Sequence, residues 1–106
     1  MRTWCLTLLL LGCGGGGPKS QLQTCKDACS FQKSCTIGAT NADVKACQAQ
    51  CDTDKATYDG DDATLKAQCK NSGDIMNGIH ECFTQDCDTT VAQDCAQTFV
   101  NSCEPK

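Results

Sequence analysis

Twelve cysteines in a chain of 106 residues constrain its folding more than any other feature. At that density a small chain reads as a disulfide scaffold. Bridges of this kind persist only in an oxidising compartment, so the cysteines predict a protein that works outside the cytoplasm. The length allows one small domain. Its apolar content is too low to fold by burial alone. From Ser20 onward Leu, Ile, Val and Phe make up about an eighth of the residues, and below a fifth the default for a charged chain is disorder. Five bridges at about 2–4 kcal/mol each, acting mainly by restricting the unfolded chain, reverse that default.

The N-terminus reads as a targeting segment. Arg2 precedes an apolar run, Leu6 to Leu11, broken only by Thr7. That is the layout of a secretory signal. It falls far short of the about twenty residues needed to cross hydrocarbon about 30 Å thick. Leu10-Leu11-Gly12-Cys13 resembles the lipobox of bacterial lipoproteins. The resemblance implies cleavage before Cys13, a diacylglyceryl group on its sulfur and usually a further acyl chain on its amine. It divides the chain into a signal peptide over residues 1–12, a lipidated cysteine with a glycine-rich tether over 13–20, and a cysteine-rich domain over 21–106. Cys5 is then lost with the signal and Cys13 is taken by lipid. Cys25, Cys29, Cys35, Cys47, Cys51, Cys69, Cys82, Cys87, Cys95 and Cys103 remain, an even number, as full pairing requires.

The tether is Gly14 to Gly17 followed by Pro18-Lys19-Ser20. Four successive glycines have too much backbone freedom to fold on their own. Seven residues of such chain span about 15 Å r.m.s., which keeps the domain close to the bilayer. In the enteric lipoproteins that the lipobox resembles, an aspartate after the lipidated cysteine retains the protein at the inner membrane. Gly14 stands there, which implies sorting to the outer membrane. The expected location is therefore the cell envelope, as an outer-membrane lipoprotein facing the periplasm or the surface.

Beyond residue 12 the chain has eight lysines and no arginine against thirteen acidic residues, a net charge of −5. Nucleic acid and anionic membrane surfaces would repel it. The expected partners are the membrane, through the lipid anchor, and a protein of unspecified kind.

The periodicity is helical. Ser20 and Gln23 have the spacing of a capping box, and Leu22, Cys25 and Cys29 follow at i, i+3, i+7. Gly38 marks a stop after Cys35. Thr40 and Asp43 form a weaker cap ahead of Val44, Cys47 and Cys51, again at i, i+3, i+7. An acidic loop is expected over Asp52–Asp61, with Asp61 or Asp62 capping the next helix. Leu65 and Cys69 suggest a third helix interrupted near Ser72-Gly73. Ile75, Ile79, Cys82 and Phe83 continue an apolar face beyond it. Asp88 or Thr90 starts a last helix carrying Val91, Cys95, Phe99 and Cys103 on roughly one face. No segment has a period of two. The expected fold is all-α: a small disulfide-stapled bundle of four to five short helices.

The twin C-x3-C pair, Cys25/Cys29 and Cys47/Cys51, is the strongest constellation. In an antiparallel hairpin the outer cysteines face each other and so do the inner ones, which gives Cys25–Cys51 and Cys29–Cys47. Bridging needs Cα atoms within about 7 Å, a close approach of two helices. Ala28, Ala46 and Ala49 are small neighbours suited to it. The spacing of the remaining six cysteines does not order their three bridges. The pair resembles the twin C-x3-C helical hairpins of small intermembrane chaperones and some plant defence peptides. The wider layout resembles small cysteine-rich helical lipoproteins of gliding, predatory bacteria.

Other chemistry has little support in the sequence. Zinc ribbons and redox motifs use C-x2-C, and this chain contains none. His80, the single histidine, is expected to be a solvated helix residue. The acids from Asp52 onward fail the EF-hand template, with Ala56, Thr57 and Ala63 at positions five, six and twelve. One histidine and two glutamates, with no nucleophile motif, leave catalysis without a basis. So few large side chains are also ill suited to enclosing a ligand pocket. No enzyme activity, cofactor or metal is expected. The reading is a structural or protein-binding envelope lipoprotein, and the alternative is a periplasmic metal-binding or thiol-redox protein.

Overall fold

The computed structural model describes residues 18–106. The signal segment, Cys13 and Gly14 to Gly17 lie outside the described residues. Five helices follow one another: α1 (Gln21–Cys35), α2 (Asn41–Thr53), α3 (Lys55–Gln68), α4 (Ser72–Gln85) and α5 (Thr89–Asn101). No strand occurs among the described residues. A single isolated bridge pairs Cys69 with Pro105 and lays the C-terminal residues along the end of α3. None of the described helices is long and apolar enough to cross a membrane.

Local chemistry sets most helix ends. Ser20 Oγ accepts from the Gln23 amide at 3.1 Å. Gln23 does not reach back to complete the box; its side chain donates instead to Asp27, one turn on, at 2.7 Å. The cap expected to be the weaker is the complete one. Thr40 Oγ1 accepts from the Asp43 amide, and Asp43 accepts from the Thr40 amide at 2.9 Å. Gly38 lies in the turn between α1 and α2 at φ 88°, a conformation without cost only for glycine. Ile37 beside it is fully exposed. Asp88 caps α5, accepting from the amides of Thr90 and Val91.

The segment expected to be an acidic loop is helical. Asp54 ends α2 and precedes α3 at once, and Asp59, Asp61 and Asp62 lie within α3. Tyr58, Asp62 and Leu65, spaced i, i+4, i+7, are the members of α3 withdrawn from solvent. The centre of that stripe is charged, which hides it from a search for apolar periodicity. Asp62 caps no helix of its own. It is buried, and its carboxylate accepts the backbone N–H of Gln21, 41 residues earlier, at the start of α1. Helix N-termini carry unpaired N–H groups and partial positive charge, so a carboxylate satisfies both needs.

The break after α3 falls at Cys69–Asn71 and not at Ser72-Gly73, which form the first turn of α4. Pro18 lies against Gly73, and the Lys19 amide donates to Asn77 Oδ1 at 2.9 Å. The end of the tether therefore packs on α4. That helix supplies half of the buried apolar residues: Ile75, Met76, Ile79 and Cys82 lie along it. Leu65, Phe83, Ala96, Phe99 and Cys103 pack around the cluster that Ile75 and Ile79 form with Cys69. On α5 the buried position is Ala92, and Val91, expected on the inner face, is exposed.

Five bridges tie the bundle: Cys25–Cys51 and Cys29–Cys47 between α1 and α2, Cys35–Cys87, Cys69–Cys103, and Cys82–Cys95 between α4 and α5. Cys35–Cys87 joins the end of α1 to the connection between α4 and α5, and so links the two halves of the fold.

Candidate functional site

The α1–α2 hairpin holds the densest chemistry of the domain. Cysteines spaced four apart fall on one face of a helix. The helices run antiparallel, and the pairs meet in the nested order, with Cα separations of 5.9 Å for Cys25–Cys51 and 5.8 Å for Cys29–Cys47. The small neighbours do not line the contact as expected. Ala46 and Ala49 face solvent, and only Ala28 is half-buried. Gln48 fills the seam instead, donating to the Lys26 carbonyl at 3.1 Å and to Ser30 Oγ at 3.3 Å. Lys26 pairs with Asp52 across the helices at 2.8 Å. Cys51 is the only buried residue of α2, so the helix has almost no apolar anchorage beyond its bridges.

The two bridges touch. Cys29 Sγ and Cys51 Sγ, from different bridges, are 3.6 Å apart. Cys29 is 5 % exposed and Cys51 1 %, whereas Cys25 is half-buried and Cys47 is open to solvent. The Tyr58 hydroxyl of α3 donates to Cys25 Sγ at 3.4 Å. The sulfurs of Cys25, Cys29 and Cys51 lie within 4.8 Å of one another, close enough for three ligands of one ion. As bridged sulfurs they are not the thiolates that zinc or copper takes. Binding at this cluster would require both bridges to open.

His80 is not the solvated residue expected from its neighbours. It is half-buried where α4 meets α1, and its Nε2 lies 2.7 Å from Asp27 Oδ2. Ionised Asp27 only accepts, so Nε2 carries the hydrogen. Burial works to raise the Asp27 carboxyl. The hydrogen bonds from His80 and Gln23 and the electrostatic effects of His80 and Lys19 outweigh it and hold the group below its ordinary value. Among the described residues no hydroxyl or thiol hydrogen-bonds to either side chain of this pair, which ties two helices. Sequence reasoning missed it because Asp27 and His80 are 53 residues apart.

Asp62 behaves in the opposite way. Burial, aided by Asp59 and Asp61, raises its carboxyl above the ordinary value, against the lowering effects of the Gln21 amide and Lys66. The acids of α3 therefore divide between one structural acceptor and an exposed set. An open groove of about 430 Å³ runs beside them, lined by Gln21, Leu65, Gln68, Val100 and Cys103 among others. Comparison with protein-family models, with curated proteins and with solved structures finds no match for this chain.

Proposed function

We propose that this chain is a membrane-anchored, disulfide-rich lipoprotein of the cell envelope. Its helical domain serves as a structural or protein-binding module held at the outer membrane by lipid on Cys13. The observation that carries the reading is the complete mutual pairing of the ten cysteines from Cys25 to Cys103, with no free thiol among them. Those sulfurs act as staples, and none is available for the chemistry assigned to Cys13. A domain built this way keeps its shape in an oxidising compartment without a large core. The fully exposed Ile37 at the hairpin turn and the net acidic surface suit a protein partner better than nucleic acid.

Anchoring rests on the lipobox. Two or more acyl chains, at about 0.8 kcal/mol per buried methylene, hold a protein stably at a membrane. Cys13→Ala should abolish labelling by a fatty-acid analogue and block lipoprotein-type processing. Persistent labelling of that variant would overturn the assignment.

The second reading, a periplasmic metal-binding or thiol-redox protein, has the clustered sulfurs of Cys25, Cys29 and Cys51 in its favour. It requires the hairpin bridges to be reduced in the working state. Counting thiols in the purified mature domain separates the two readings: none under the first, several under the second.

A further inference from the structure

Two bridges in contact are chemically continuous when a thiol arrives. The path through them is graded in exposure. Cys47 is open to solvent, its partner Cys29 is buried, Cys29 Sγ touches Cys51 Sγ at 3.6 Å, and Cys51 is bonded to half-buried Cys25. The far end has its own hydrogen-bond donor, the Tyr58 hydroxyl, 3.4 Å from Cys25 Sγ. Among the described residues no second group of three such side chains comes this close together. We infer that the twin bridges form a thiol-exchange relay, which converts attack on Cys47 into a thiolate on Cys25 while α1 and α2 stay covalently joined.

The first step begins with the thiolate of a small thiol, or of a protein dithiol, at the sulfur of Cys47, the exposed residue of its pair. A new S–S bond forms there, the Cys29–Cys47 bond breaks, and its electron pair leaves on Cys29. Released from its bridge, the Cys29 side chain is free to turn about its own torsions, already in contact with Cys51 Sγ. In the second step it attacks that sulfur. The Cys29–Cys51 bond forms, the Cys25–Cys51 bond breaks, and the electron pair passes to Cys25. Each step exchanges one S–S bond for another, so the only co-reactant is the attacking thiolate. The products are a mixed disulfide on Cys47, a diagonal Cys29–Cys51 bridge and a Cys25 thiolate. The Tyr58 O–H favours that outcome, because a hydrogen bond to a thiolate stabilises it and a better-stabilised thiolate leaves faster. The relay goes beyond the role of a passive staple: the hairpin absorbs one attack without opening and exposes a defined thiol elsewhere.

The test uses the folded mature protein. It is treated with reduced glutathione, quenched with N-ethylmaleimide, digested without reduction and read by mass spectrometry. The relay gives glutathione on Cys47, maleimide on Cys25 and a peptide linking Cys29 to Cys51. Maleimide on Cys29 with Cys25–Cys51 intact would overturn it, and so would Cys47 that takes up no glutathione. A second arm uses Cys47→Ser, which leaves one unpaired sulfur in the hairpin. The thiol should be shared between Cys29 and Cys25, and adding Tyr58→Phe should move the balance toward Cys29 by about threefold or more. A thiol found wholly on Cys29 without the Tyr58 change, or a balance that Tyr58→Phe leaves unmoved, would count against the relay.

Discussion

Phe99 of α5 lays its ring directly on the backbone of Gly78 in α4, in the space a Cβ at position 78 would occupy. Helix propensity alone favours alanine over glycine there by about 1 kcal/mol. The contact reverses that sign, because the ring cannot retreat without vacating the cluster around Ile75 and Ile79. Gly78→Ala should destabilise the domain by about 1–3 kcal/mol, as overpacking does. Adding Phe99→Ala should erase most of the further loss, since the clash is gone. Denaturant melts of the two single variants and the double would show this as strong non-additivity; additive losses would mean that the close approach is not the cause.

Asp62 and Gln21 give a prediction with a pH signature. The folded carboxyl of Asp62 titrates above its ordinary value of 3.8. The native state therefore binds this proton more tightly than the unfolded chain. Stability falls as pH rises from the unfolded pKa through the folded one. Asp62→Asn keeps an acceptor for the Gln21 amide and removes the buried charge. It should be at least as stable as the parent at pH 7, with the difference vanishing in acid. Asp62→Ala leaves the Gln21 N–H without its partner and should lose about 0.5–2 kcal/mol. Thermal melts at pH 3.5 and pH 7 distinguish the two substitutions. An asparagine variant much weaker than the parent at pH 7 would show that the charge itself holds α1.

Asp27 and His80 predict the acid limb. The folded carboxyl of Asp27 lies below its ordinary value. Its contribution is therefore fully present above the unfolded pKa and is lost as pH falls through the folded one. Asp27→Asn should flatten the decline in stability below about pH 4. At neutral pH it should cost about 0.5–1 kcal/mol, less than the about 1.5–3 kcal/mol of a well-shielded hydrogen bond to a charged group, because solvent screens the partly exposed pair. A variant whose acid limb matches the parent would place the acid sensitivity elsewhere.

The bridges should rank by the loops they close. Cys35–Cys87 spans 52 residues and Cys82–Cys95 spans 13. The chain-entropy relation gives about 4 kcal/mol for the first and about 3 kcal/mol for the second. Replacing both cysteines of each pair by serine and comparing denaturant midpoints tests that order. Full reduction should go further and abolish the helical far-UV signal, because buried Ile75, Met76 and Ile79 are too small a core to hold five helices. A reduced domain that kept its helicity would show that the core suffices without the staples.

Sequence alone determined what depends on near neighbours along the chain. Cysteines four apart must share a helix face, so twin pairs on an antiparallel hairpin have one nested way to meet, and the structure has Cys25–Cys51 and Cys29–Cys47. Gly38 as a stop, Thr40 with Asp43 as a start and Asp88 as one of two candidate caps were legible for the same reason, since their partners lie within a few residues. Everything decided at long range lay with the tertiary structure. The order of the other three bridges depends on where α3, α4 and α5 come to rest. The acidic stretch after Asp52 is helical because Tyr58, Asp62 and Leu65 find α1 and the core, and composition reports none of that. Asp62 reads as a candidate cap in a solvated loop, and His80 as a solvated helix residue, until packing brings Gln21 and Asp27 to them. A carboxylate or an imidazole carries no mark in sequence of the partner that will offset its burial; only the packed helices supply one.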